Sequence, residues 1–278
     1  MLLLFASKAL IAPVLLALAA IVEHRWGGVA GGWLLGLPLT SGPMSFFLLT
    51  EHGPRYAENA ARGALLGLVG AGVFCAGYYL AAQKRSWRRS LALAGIACLS
   101  VTFALSLVQL DLGATVAFAI VVLGLVAVVA AVPKRVPAAP TTAPTTTPAT
   151  TTRTTRRNLI FRMVAASAVV VGISAASTVL GSAASGMLAA APAITAVMAV
   201  STHRAAGKDS VRGLLRGSVA GMWGGAAFFA VVGLLVTIAA PGVTYLAAIA
   251  AAVLVSTIIG RAATSQRLST AFSAVRAA

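Results

Sequence analysis

The sequence predicts an all-α protein, a polytopic transmembrane helical bundle of about nine spans arranged as two inverted repeats. Three observations carry this. The chain is 59% apolar and only 9% charged, with a mean hydropathy of +0.96, a composition foreign to soluble globular domains. Its apolar residues fall in runs long enough to cross the bilayer as helices. The chain also matches itself without gaps at an offset of 154 residues: 12 identities lie in the 48 pairs from Gly27/Gly181 to Phe74/Phe228, including Gly32/Gly186, Pro38/Pro192, Gly53/Gly207, Arg62/Arg216 and Gly63/Gly217.

The first run, residues 1–22, carries Lys8. Its Leu16-Ala17-Leu18-Ala19-Ala20 stretch looks like a signal-peptide cleavage site, but no basic region precedes the apolar run and more membrane follows, so it reads as a span. The second, residues 28–50, holds Gly36-Leu37-Pro38-Leu39-Thr40-Ser41-Gly42-Pro43 near its centre. Two prolines there remove backbone donors, and the helix is expected to break at mid-membrane. A short polar link, 51–59, leads to a third span at 60–82, followed by a basic loop with Lys84, Arg85, Arg88 and Arg89. The apolar run 90–132 is about two spans long, and Gln109-Leu110-Asp111 divides it into a fourth and a fifth, because a carboxylate at mid-bilayer costs several kcal/mol.

Residues 133–157, rich in Thr, Pro and Ala and closed by basic residues, read as a disordered cytoplasmic linker. They separate a first membrane half (1–132, five spans) from a second (158–278, four spans). The second half has expected spans at 159–179, 181–201, 213–239 and 243–260, then a weakly amphipathic tail on the membrane surface. With alternating spans, 17 of the 21 Lys and Arg fall on one side. That asymmetry places the protein in the bacterial inner (cytoplasmic) membrane with its N-terminus out and its C-terminus cytoplasmic. Five crossings separate the two copies, so they face opposite ways. If 90–132 were one span plus a re-entrant piece, the repeat would instead be parallel.

Matching Gly/Pro-broken helices in two halves point to a transporter's binding site. The candidate substrate-binding residues are Pro38, Thr40, Ser41, Gly42 and Pro43 in the first copy and Pro192 and Thr195 in the second; kinks and hydroxyls bonded back to their own helix are the plainer account. Candidate gating or coupling residues are Lys8 and Arg162, Arg62 and Arg216, and the pair Glu51 and His52; snorkelling, interface anchoring and a solvated loop are the respective alternatives. The recurrent Gly-x-x-x-Gly spacings read as helix packing. Cys75 and Cys98, inside apolar runs, read as small core residues, and no Cys or carboxylate stands at metal-ligand spacing.

The segment count and repeat logic resemble inverted-repeat carriers such as the drug/metabolite transporter superfamily. The Gly36–Pro43 stretch is similar to bacterial polytopic membrane proteins, and residues of the second and third runs to GlpM-type small membrane proteins. The resemblance implies a secondary transporter. The scarcity of acidic residues in the spans favours a small anionic or neutral metabolite over a cation. The alternative is a non-catalytic subunit or scaffold of a membrane complex. An enzyme is not expected, since general acid/base chemistry needs a His or carboxylate facing a cavity. The expected partners are the lipid bilayer, the small-molecule substrate and a second copy of the chain. Nucleic acid is not among them, and neither is a cofactor or metal.

Overall fold

The computed structural model describes residues 21–22, 25–26, 28–38, 41–108, 110–131 and 181–276. Their regular elements are all helical: α1 Gly28–Gly36, α2 Ser41–His52, α3 Pro54–Ala81, α4 Trp87–Ser106, α5 Leu112–Ala131, α6 Ser182–Ala189, α7 Ala193–Leu235 and α8 Pro241–Arg276. Among the described residues five stretches are long and apolar enough to cross a membrane. One of them, Ser182–Leu235, spans 54 residues, far more than the ~20 that one crossing needs. It is divided by a sharp kink within α7 at Gly207. The expected spans 1–22 and 159–179, the linker 133–157, Lys8, Arg162 and Thr40 lie outside the described residues, apart from Ile21 and Val22.

The helix breaks fall where the backbone chemistry demands them. Leu37 donates to the carbonyl of Leu34 in a tightened last turn of α1, and α2 restarts with Gly42 donating to Pro38. The same sequence of bonds recurs at the second break, Ala191 to Leu188 and Ala196 to Pro192. Gly53, between α2 and α3, has φ 87° and ψ 176°, and Gly207, 154 residues later, has φ 81° and ψ −176°. They are the only positive-φ residues described. This corner of conformational space is open essentially to glycine alone.

Three expected boundaries differ. The polar link 51–59 narrows to the single residue Gly53, because Pro54 suits the first turn of a helix and the polar residues after it continue helically. The basic stretch 204–212 is likewise helical apart from the Gly207 kink. Asp111 is exposed and acts at the start of α5, accepting from the Ala114 amide at 3.0 Å. It terminates the run as a helix cap rather than as a charge stranded in hydrocarbon. The tail continues α8 as helix to Arg276.

α3 and α7 form the core. Of the span in α3, 72% is buried, against 17% for α4 and 22% for the start of α8. α3 and the second arm of α7 run antiparallel: Tyr79, near the end of α3, meets Arg212 and Arg216 near the start of that arm. The most extensive helix-helix interface joins α1 to α7, and α6 packs in the same manner on α3. Each short helix before a break therefore lies on the long helix of the other half of the chain.

Glycine makes these contacts possible. A Cβ on Gly32 would collide with the Leu214 carbonyl and the Ser218 amide, and one on Gly186 with the Ala60 carbonyl and the Ala64 amide. Gly217 likewise faces Val29 and Gly63 faces Ala183; Gly221 faces Trp33 and Gly36, as Gly67 faces Met187 and Ala190. Adding 154 to the α3 partner and subtracting 154 from the α6 partner turns each of these contacts into its counterpart between α7 and α1. In lipid, where apolar burial drives little helix association, close backbone approach of this kind supplies much of the packing. Cys75 and Cys98 are buried and free.

Candidate functional site

Sequence places a proline at each break; the fold brings the two breaks together. A cavity of about 70 Å³ lies between them. Its lining contains six residue pairs at the 154 offset: Leu35/Ala189, Gly36/Ala190, Leu37/Ala191, Pro38/Pro192, Ser41/Thr195 and Leu68/Met222. Ser41 and Thr195 are the hydroxyls of the lining, and both are buried. The last turns of α1 and α6 and the first turns of α2 and α7 end at this point. Such termini leave carbonyls and amides without intrahelical partners, so the cavity is polar along its backbone while its side chains are mostly apolar. Among the described residues the lining carries no charge. Its volume suits a few water molecules or a small ion and falls below the ~300–1,000 Å³ of a preformed pocket for a drug-sized ligand.

Gly42 and Pro43 are placed elsewhere. They line an apolar groove of about 480 Å³ between α2 and α8, with Phe46, Phe228, Tyr245 and Ile249. Leu37 and Pro38 belong to both spaces. Tyr245 is held there by a 2.9 Å hydrogen bond with Ser45 and an edge-to-face contact with Phe46.

The candidate gating residues are spread over both ends of the bundle. Arg62 donates to the Asn59 side chain at 2.6 Å and to the Leu110 carbonyl at 3.1 Å. It lines a cavity of about 370 Å³ beside the start of α6. At the opposite end, Arg216 and Arg212 each donate to the Tyr79 hydroxyl at 3.0 Å. Both guanidiniums also lie over the Tyr79 ring, 4.8 Å away for Arg212 and 5.5 Å for Arg216. Next to them, the Tyr78 hydroxyl and His203 Nδ1 are 3.2 Å apart. Glu51 and His52 are exposed at the far end of α2, where His52 stacks on Tyr56. Neither is among the residues lining the cavity, since ten residues of helix stand between Ser41 and His52.

Compared with known protein families, with curated proteins and with solved structures, the chain matches none.

Sequence reasoning missed Tyr78 and Tyr79, and gave Arg212 and His203 no part in a site. A pair of tyrosines ending an apolar run just before a basic loop is an interfacial signal that would have picked out the first two. The contribution of Leu68 and Met222 to the cavity was available from the same offset that pairs the prolines.

Proposed function

We propose that this chain is a secondary transporter, two inverted repeats that alternate access of a small anionic or neutral solute to the cavity between Pro38 and Pro192. One observation carries the reading: the two proline breaks meet at one cavity whose lining is largely made of residues 154 apart. Equivalent helices running antiparallel, as α3 and the second arm of α7 do, are what an inverted duplication predicts. Two such halves have two packings of nearly equal energy, one open to each side, which is the physical basis of alternating access. The hydroxyls of Ser41 and Thr195 and the open helix termini suit a polar solute, and the described lining residues offer no counter-ion for a cation.

In this reading the small volume of the cavity, about 70 Å³, belongs to a resting state that must widen to admit solute. The Tyr79–Arg212–Arg216 cluster, which bridges α3 and α7 at one end of the bundle, is the gate this reading assigns to that end. In the positive-inside orientation that end faces the cytoplasm and the Arg62 end faces outward, with the protein in a bacterial inner membrane.

A second reading, a scaffold subunit of a membrane complex, draws on the backbone-to-backbone glycine contacts, which suit a bundle that never opens. Cysteine labelling separates the two. In oriented vesicles with Cys75 and Cys98 replaced by alanine, Ser41→Cys and Thr195→Cys should react with a membrane-impermeant thiol reagent from both sides. A labelled metabolite panel should contain a solute whose gradient shifts that reactivity and whose uptake the reagent blocks. Cysteines unreactive from both sides, with no uptake, would establish the scaffold.

A further inference from the structure

The basic end of the bundle holds a pair of arginines on one tryptophan. Trp87 opens α4, and the guanidiniums of Arg88 and Arg204 lie 5.3 and 5.2 Å from its ring centroid. Arg204 comes from α7, three residues before the Gly207 kink, so the ring joins the two halves of the chain at this point. Around it Lys84, Arg85, Arg89 and Lys208 are exposed. The acidic counterweight is small. Asp209 is the only carboxylate among the described residues of α7 and of the turn 82–86, and it pairs with Arg212 at 3.6 Å. Glu51, Glu58 and Asp111 belong to helix ends on the opposite side. Below Trp87, α4 presents a stripe of exposed apolar side chains, Leu93, Ile96, Leu99 and Phe103, the last three 64%, 72% and 67% exposed.

A half-buried indole at a helix start, with cations on it and an apolar stripe leading away, has the polarity of a phospholipid: an anionic head, an interfacial zone and a chain. We propose that Arg88 and Arg204 bind the headgroup phosphate of an anionic phospholipid whose acyl chain lies along the Leu93–Phe103 face of α4. Guanidiniums are suited to phosphate because their donors form a planar fork. Stacking on Trp87 pre-orients them while leaving N–H groups free to face the headgroup. Two cations at a membrane surface attract an anionic lipid and give a preference that a zwitterionic lipid cannot match. The inference rests on placement in a membrane and not on transport. Because the site joins α4 to α7 beside Gly207, a bound lipid would also hold the two halves together at this end.

Native mass spectrometry of the detergent-purified full chain, with phosphatidylglycerol or phosphatidylcholine added at equal concentration, tests it. Phosphatidylglycerol should be retained preferentially. The double variant Arg88→Gln/Arg204→Gln should lose that preference by roughly tenfold, while Arg55→Gln at the opposite end should keep it. Raising ionic strength on the unaltered protein should strip phosphatidylglycerol selectively, a readout independent of whether the double variant folds. Equal retention of the two lipids overturns the proposal, as does undiminished preference in the double variant. Tight binding of a duplex oligonucleotide that phosphatidylglycerol does not displace also overturns it, and would make the patch a nucleic-acid surface.

Discussion

Two glycines set the path of the backbone. Gly53 and Gly207 have φ of 87° and 81° with ψ near 180°, where a Cβ clashes with its own chain. Space is not the constraint, since no neighbour lies within 4 Å of a Cβ built at either position. Gly53→Ala and Gly207→Ala should therefore each destabilise by about 1–3 kcal/mol, read as a fall in Tm in detergent. The two losses should be similar in size, because the backbone strain is the same. Equal stability with alanine would mean that the kinks relax.

At the scale of elements, the decisive contact is the crossing of a short helix over a long one. Ridges of side chains cannot interlock where backbone touches backbone, so α1 and α6 reach α7 and α3 only through glycine or alanine. Gly32→Val and Gly186→Val should each cost about 1–3 kcal/mol or more through overpacking, because the obstructing atoms are main-chain carbonyls and amides that cannot rotate away. Gly95→Ala, on α4 with nothing within 4 Å, should leave Tm unchanged or raise it, since alanine favours helix by up to about 1 kcal/mol. Thermal unfolding of the three variants compares packing with propensity inside one protein. A neutral Gly32→Val would show that α1 does not seat on α7.

Across the whole molecule, the two ends are unlike. At one, Tyr79 accepts two guanidiniums from α7 and links the halves across the centre. The position 154 residues on is Gly233, which offers no hydroxyl, and Arg62 bonds instead to Asn59 and to the Leu110 carbonyl within its own half. Symmetry of backbone thus coexists with asymmetry of side-chain bonding between the two ends. Tyr79→Phe keeps the ring under Arg212 and Arg216 but removes the acceptor. It should destabilise by about 3 kcal/mol or more, since two hydrogen bonds to charged groups are lost, each contributing about 1.5–3 kcal/mol, and Tyr79 is 3% exposed. In the proposed carrier it should also raise thiol labelling of Thr195→Cys from that side alone. Unchanged Tm and labelling would remove the cluster from any gating role.

The helical, membrane-spanning character was legible in the residues. Long apolar runs without charge can satisfy their backbone only as helices, and Pro38 and Pro192 cannot donate a helical hydrogen bond wherever they stand. The positions of the breaks, the packing use of the glycines and the division at Asp111 all followed from such local rules. Helix extents near 51–59 and 204–212 did not, because polar residues there continue a helix that hydropathy alone ends. The tertiary structure decided that each broken helix crosses the long helix of the other half, that Ser41 and Thr195 face one cavity while Glu51 and His52 do not, and that Tyr79 collects two arginines. Those facts depend on which surfaces meet. A sequence states what each helix can pack against, but the choice of partner is made by main-chain contacts between residues more than a hundred positions apart, and no local pattern encodes that distance.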